Sequence, residues 1–229
     1  MTTMNLQLVD DIHILTLTNA DNGGDNRLTT KVIGEYFAAL DIVEKYQGNT
    51  ALVLTCEHEK TFCTGINLDW LTQQNDAGRQ QFFVAFETLL CRLALLNAPT
   101  VACINGNAYA GGAILACAAD YRLMRSDRGR FCFPEVNIKI PFSPATHDIA
   151  QLLPNKQALK DMMLMGTAYT GKQCAELQIV DSIHPASQLQ DQAIALATTL
   201  ATKDRNTFTI IRNLMRPAIQ AHLSRLTSE

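Results

Sequence analysis

The chain has 229 residues, of which 47% are hydrophobic and 18% are charged. A chain of this length buries roughly 70% of its unfolded surface, and its composition excludes intrinsic disorder and collagen-like or low-complexity structure. Nineteen lysines and arginines stand against 22 aspartates and glutamates, a formal net charge of −3. The charge balance therefore gives no reason to predict binding to nucleic acid or to an acidic membrane.

The seven cysteines are odd in number and form no CxxC pair, and most lie inside apolar runs. This pattern favours a reducing compartment and packing as small hydrophobic residues over disulfides or a zinc site. The N-terminus lacks the basic and apolar segments of a signal peptide, and no apolar run approaches the roughly 18 residues of a membrane span. We therefore expect a cytoplasmic protein that does not act at a membrane.

Apolar periodicity predicts strands and helices that alternate through the first part of the chain. In chain order they are a hairpin over 6–17, a helix capped by Thr29 or Thr30, a buried strand over 51–54, a helix over 76–97, a strand over 100–104, a helix of small residues over 111–119, and strands over 121–125 and 130–133 around a turn at 127–129. Beyond Pro144 the pattern is helical to the end. This order predicts one α/β domain, with a core over 1–185 and C-terminal helices over 186–229 that belong to the same domain.

Three segments with polar residues or glycines follow predicted strands, at 61–68, 105–113 and 133–136. In α/β enzymes the site lies just beyond the strand ends. Gly111 and Gly112 precede a helix whose first N–H groups have no internal partner, so they can hold a developing negative charge together with the helix dipole. A second N–H from the loop around Gly65 would complete an oxyanion hole. On glycine content alone, tight packing of the helix against a strand is the more economical interpretation.

Several other kinds of site lack their motifs. Gly106 and Gly111 are spaced like the ends of a phosphate-binding loop, but no Lys-Ser/Thr pair follows them. The sequence contains no GxGxxG, no HxE or HExxH, and no GxSxG, which argues against a dinucleotide, a metal or a nucleophilic serine. The five histidines are scattered, and we predict no metal site.

The three segments together resemble the crotonase (enoyl-CoA hydratase/isomerase) superfamily. The matching stretches are FCTGINL at 62–68, NGNAYAGG at 105–112, Asp120, and FPE at 133–135, and their order and spacing agree with the family. The resemblance runs from the hairpin near residue 6 to about residue 183. It implies a crotonase-like α/β spiral of ββα units with a helical C-terminal portion, assembled as trimers or as hexamers of two trimers. It also implies an acyl-CoA substrate, with coenzyme A as part of that substrate and no separate cofactor.

The same resemblance assigns roles to individual residues. The backbone N–H groups of Ile66 and Gly111 would form the oxyanion hole that holds the thioester carbonyl. The expected contacts to the acyl group and to coenzyme A are Arg27, Thr64, Asn67, Leu68, Tyr109, Ile114 and Pro134. Three positions differ from the residues usual in the family: Asn67 replaces aspartate, and Ala110 and Gln178 replace glycines.

Hydratases of this family use two glutamates, and this chain has Ile114 at the first of those positions and Glu135 at the second. Ile114 cannot activate a water molecule, whereas one carboxylate suffices to move a proton between C2 and C4 of a 3-enoyl chain. The segment 120–140 particularly resembles the monofunctional delta-3,delta-2-enoyl-CoA isomerases. We therefore predict an isomerase with Glu135 as its catalytic base and acid.

Three alternatives remain open at this stage. Glu135 on its own could be a surface glutamate at a strand end, and only the two glycine segments favour catalysis. The same oxyanion hole would serve a thioesterase, a decarboxylase or a weak hydratase. A member that binds acyl-CoA without turnover would also match the sequence.

Overall fold

A computed structural model describes residues 2–18 and 25–228 of the chain. The described strands are β1 Met4–Val9, β2 Ile12–Leu17, β3 Ala51–Cys56, β4 Thr61–Cys63, β5 Thr100–Ile104, β6 Asn107–Tyr109, β7 Tyr121–Arg125, β8 Arg130–Cys132, β9 Ala168–Thr170 and β10 Ser182–His184. The described helices are α1 Thr30–Lys45, α2 Leu68–Thr72, α3 Asp76–Ala94, α4 Gly111–Ala118, α5 Glu135–Ile138, α6 Pro144–Ala150, α7 Lys156–Met165, α8 Gly171–Glu176, α9 Ala186–Ala201, α10 Arg205–Leu214 and α11 Pro217–Leu226.

The strands form two sheets connected by repeated ββα units. One sheet has the order β1-β2-β3-β5-β7-β10 and is parallel except for the β1–β2 hairpin. The other has the order β4-β6-β8-β9. In each of the pairs β3–β4, β5–β6 and β7–β8, the first strand joins the larger sheet and the second joins the smaller one, and helices follow. The predicted α/β spiral of ββα units is therefore confirmed.

The larger sheet is covered on both faces, because successive side chains of a strand point to opposite sides. In β3, Ala51 and Val53 pack with α9, and Leu52 and Leu54 belong to the cluster that contains the apolar faces of α1 and α3. All six residues of β3 are buried. This explains why its sequence is a continuous apolar run rather than an alternating one.

The structure places the later strands in ways that the sequence pattern does not show. Both strands predicted around the turn at 127–129 are present, but they do not pair with each other, because β7 lies in the larger sheet and β8 in the smaller one. Gly129, with φ of +90°, packs its backbone against Gly106, where a Cβ atom would lie 2.6 Å from a carbonyl carbon, and this contact directs the chain into the second sheet. The chain beyond Pro144 is not wholly helical, since β9 and β10 interrupt it; each has three residues, too few for a periodic pattern.

The C-terminal helices are tied to the core by arginines. The carboxylate of Asp120, which is buried after α4, lies 3.5 Å from Arg212 and 3.0 Å from Arg216. Arg205 donates hydrogen bonds to backbone carbonyls at the end of α1, among them that of Val43 at 2.7 Å. Exposed apolar side chains on and just after α10 are Ile210, Ile211, Leu214 and Met215. Self-assembly needs a surface of this kind, and it stays a prediction.

All seven cysteines are buried and unpaired, as the packing interpretation predicts. Within the described ranges, none of the helices combines the length and the apolar character that crossing a bilayer requires. The same residues contain no group of three or more histidine, cysteine or acidic side chains placed to hold a metal ion.

Candidate active site

Two backbone N–H groups lie side by side where β4 and β6 end. The chain after β4 forms a parallel bridge with Leu28, which donates to the carbonyl of Gly65 at 2.8 Å and accepts from the N–H of Asn67 at 2.9 Å. The bridge uses groups on either side of Ile66, so the N–H of Ile66 faces away from Leu28. Neither this N–H nor that of Gly111 donates a hydrogen bond within the described chain. Both are therefore available to a ligand.

Glycines allow the two segments to approach this closely. Gly65 has φ of +84°, and a Cβ atom on it would lie 2.6 Å from the backbone nitrogen of Gly111. A Cβ atom on Gly112 would lie 2.1 Å from the carbonyl oxygen of Cys63. Ala110, the residue before α4, has no side-chain cap to offer the helix. The N-terminus of α4 thus keeps its free N–H groups and the positive end of its dipole beside the Gly65 loop.

The carboxyl group of Glu135 lies in the same place. Glu135 is the first residue of α5, which follows β8 directly after Phe133 and Pro134. The residue is 7% exposed, and its Oε2 atom is buried without a hydrogen-bond partner in the described part of the chain. Burial raises the pKa of Glu135 to about 7, against an ordinary value of 4.5, because a carboxylate loses its hydration there.

A single cavity joins the carboxyl group to the two N–H groups. It encloses about 640 Å³ of empty space, including its open mouth. The apolar part of its wall consists of Ile66, Leu68, Phe83, Phe86, Ala110, Gly111, Ile114, Ile138, Ile140, Pro141 and Phe142. Its polar residues are Thr64, Glu87, Glu135, Ser143 and Thr146. The arrangement can bind an apolar chain, polarise a carbonyl oxygen and exchange a proton with a neighbouring carbon.

The sequence model of one family covers almost the whole chain. The model described as "Enoyl-CoA hydratase/isomerase" matches residues 11–228. The chain belongs to the enoyl-CoA hydratase/isomerase family. Its substrates are accordingly acyl-CoA thioesters.

The names of individual relatives include both of the activities in the family's description. The chain is 28% identical to enoyl-CoA delta isomerase 3 of Arabidopsis thaliana over 220 residues, which is 91% of this chain and 90% of that protein. It is also 28% identical to a putative enoyl-CoA hydratase of Thermus thermophilus, over 90% of this chain and 82% of that one. The fold matches the crystal structure of an enoyl-CoA hydratase/isomerase family protein from Pseudomonas syringae with a TM-score of 0.88 at 22% identity, covering 98% of this chain and 94% of that one.

Six of the ten residues predicted from the sequence line the cavity: Thr64, Ile66, Leu68, Gly111, Ile114 and Glu135. Ile114 is 3% exposed and lies one helical turn after Gly111. Residues three apart in a helix share a face, so its side chain covers the same end of the cavity as that N–H group. Ile114 thus forms an apolar part of the wall, and its contact with a substrate stays a prediction.

The other four predicted residues lie outside the cavity wall. Asn67 caps α2 by accepting a hydrogen bond from Trp70 at 3.1 Å, and Pro134 is the residue before α5. Arg27 forms ion pairs with Asp69 at 3.2 Å and with Asp25 at 3.6 Å. Tyr109 lines a separate polar cleft, together with Arg128, Arg130 and Lys172 among others. Contact of these four residues with the acyl group or with coenzyme A stays a prediction.

Sequence reasoning missed the part of the wall that α3 contributes. Phe83, Phe86 and Glu87 line the cavity from this helix. Phe86 lies directly against Gly111, since a Cβ atom on Gly111 would lie 3.0 Å from its ring. The periodic pattern of α3 predicts which face is buried, but it does not distinguish a face that packs on the core from one that borders a cavity. The one signal in the sequence was Glu87, a charged residue next to the apolar face of this helix.

Proposed function

We propose that this protein is an isomerase that converts 3-enoyl-CoA thioesters to trans-2-enoyl-CoA. The observation that carries the proposal is the buried Glu135 carboxyl group, whose Oε2 atom has no partner among the described residues, in the cavity that Ile66 and Gly111 also line. The proposal agrees with the names of several relatives, including the Arabidopsis thaliana isomerases.

The reaction needs one group that takes and returns the same proton. The Glu135 carboxylate removes a proton from C2, the C2–H electron pair forms a C1=C2 double bond, and the carbonyl π pair moves onto the thioester oxygen. The product of this step is a dienolate in which the C3=C4 bond is intact; the C2=C3 bond forms when C4 is protonated and the carbonyl is restored. The negative charge on the thioester oxygen is held by the N–H groups of Ile66 and Gly111, each worth about 3–4 kcal/mol in the transition state. The protonated Glu135 then gives its proton to C4, so that no proton is gained or lost overall.

The walls near Glu135 suit this reaction better than hydration. Ile114 occupies the position where a second glutamate would hold and activate water, and its side chain is buried and apolar. The lining of the cavity is mostly aliphatic and aromatic. An apolar wall of this kind excludes water that would compete for the dienolate, and it holds the pKa of the carboxyl group near neutrality.

The first prediction concerns the choice between these two reactions. Purified protein is expected to convert 3-hexenoyl-CoA to the conjugated 2-enoyl thioester at least ~100-fold faster than it hydrates 2-hexenoyl-CoA, because Ile114 cannot serve as the second base. The rise and the fall of the absorbance of the conjugated thioester measure the two reactions. Faster hydration would contradict the proposal, and release of free thiol from either substrate would identify a thioesterase instead.

The second prediction concerns the pH dependence of isomerisation. Glu135 must be ionised to accept the first proton, and its pKa is raised to about 7. The value of kcat/KM is therefore expected to fall about tenfold per pH unit below pH 7 and to level off above it. Initial rates measured between pH 5 and pH 8.5 at constant ionic strength check this; a flat profile would show that another group is the base.

A further inference from the structure

The second carboxyl group of the cavity belongs to Glu87. It lies on α3 with Phe83 and Phe86, at spacings of four and one residues, and all three side chains border the cavity. Phe86 fills the side nearest Gly111. Glu87 is partly buried as a residue and borders the cavity.

Glu87 has no partner among the described residues. No hydrogen bond or ion pair joins its carboxyl group to another part of that chain, and no lysine, arginine or histidine lines the cavity. The hydroxyl groups of Ser143 and Thr146 are used by each other in the capping box at the start of α6, and that of Thr64 bonds the carbonyl of Asp25 at 3.3 Å. A carboxyl group that borders a cavity without a donor loses hydration when an apolar ligand fills that cavity, and this loss is unfavourable.

A ligand can provide the missing donor. The two N–H groups of the oxyanion hole fix the thioester, and Glu135 fixes the carbons that exchange a proton. The remainder of the acyl chain must occupy the rest of the same cavity, where Glu87 is the other carboxyl group of the wall. A plain hydrocarbon chain would leave this group unpaired and less hydrated, whereas a hydroxyl group on the chain would donate to it.

We propose that Glu87 is a specificity-determining residue, and that the acyl-CoA accepted here carries a hydrogen-bond donor, such as a hydroxyl group, on the carbons beyond the reacting double bond. This inference rests on the proposed function for its assignment of the acyl cavity. It extends that function by naming the class of acyl chain.

Binding of saturated acyl-CoA thioesters tests the inference without any turnover. Titration calorimetry compares hexanoyl-CoA and octanoyl-CoA with their ω-hydroxy forms. At least one hydroxylated ligand is expected to bind roughly tenfold to a hundredfold more tightly than its plain counterpart, the range for a hydrogen bond to a charged group in a desolvated site. Glu87→Leu is expected to abolish or reverse this preference.

Two further variants test whether the preference for hydroxylated chains depends on the carboxylate of Glu87 itself. Glu87→Gln keeps an acceptor but not the charge, and it should retain a smaller preference of about threefold to fivefold. Gln81→Leu, a substitution at an exposed position of the same helix that does not border the cavity, should leave the preference unchanged.

Three outcomes would overturn the inference. The first is an equal affinity of the wild-type protein for plain and hydroxylated chains, and the second is a preference that survives in Glu87→Leu. The third is a Glu87→Leu variant that binds both ligands normally but loses isomerisation of 3-hexenoyl-CoA, which would make Glu87 part of the chemistry. Because the affinities do not depend on turnover, failure of the isomerase proposal would leave this measurement interpretable.

Discussion

Replacement of Glu135 by glutamine is expected to lower kcat for the isomerisation of 3-hexenoyl-CoA by about 10³–10⁴-fold, at the upper end of the range for general acid–base catalysis. The same carboxyl group acts in both proton transfers, so its loss removes both steps. Affinity for acyl-CoA should change little, because the N–H groups of Ile66 and Gly111 belong to the backbone and keep their positions. Single-turnover rates and calorimetric affinities separate the two effects.

The stability of the same variant shows whether lost activity reflects chemistry or unfolding. The pKa of Glu135 is raised in the folded protein from 4.5 to about 7, so the folded state binds its proton more tightly than the unfolded state does. Wild-type stability is therefore lost as the pH rises from 4.5 to 7, by up to about 3 kcal/mol. Glu135→Gln lacks this titration and should gain that amount relative to the wild type between pH 5 and pH 8. A variant that is inactive but also unfolded at pH 8 would contradict this account.

The sequence predicts the parts of this fold that repeat a pattern over several turns or strands. The helices α1 and α3 and the strands β3 and β5 lie close to their predicted positions, because each carries enough apolar residues to define a face. The strands β4, β6 and β9 escape prediction, since three residues define no period. The smaller sheet is formed by such short strands and depends on contacts between distant segments.

The backbone conformation at two substituted glycine positions could not be predicted either. Ala110 and Gln178, which stand where the family usually has glycine, have φ of +49° and +56°. A side chain in this region costs roughly 1–2 kcal/mol. The fold keeps the glycine-like conformation and other contacts compensate for it; at Ala110 these include the N–H donated to Cys132 at 3.1 Å. The sequence shows the substitution, whereas only the structure shows that the turn is retained.

The candidate site also contains residues that the sequence predicts and residues that only the structure reveals. Glu135, Ile66 and Gly111 were predicted because they belong to local motifs whose spacing carries their role. Glu87 was not, because it depends on how α3 lies against the start of α4. The direction in which the Tyr109 side chain points could not be predicted for a related reason. Neighbouring residues of a strand point to opposite sides, and nothing local indicates which side of β6 faces the cavity.

Replacement of Gly112 by alanine is expected to destabilise the protein by at least about 5 kcal/mol, a loss reserved for severe steric or cavity defects. The added Cβ atom would lie 2.1 Å from the carbonyl oxygen and 2.5 Å from the carbonyl carbon of Cys63. These are backbone atoms of β4, which is fully buried, so they cannot move without disrupting the smaller sheet. Urea unfolding or the yield of soluble protein measures the effect.

The matched control for this variant is Gly34→Ala. Gly34 also lies within a helix, α1, but a Cβ atom on it would meet nothing within 4 Å. This substitution should stabilise the protein by about 0.5–1 kcal/mol, because alanine favours the helix and restricts the unfolded chain. If Gly112→Ala folds at all, α4 must have moved away from β4, and the displaced N–H of Gly111 should then cost about 10²–10³-fold in kcat. A Gly112→Ala protein with wild-type stability and wild-type turnover would show that the close contact between α4 and β4 is not needed to place the oxyanion hole.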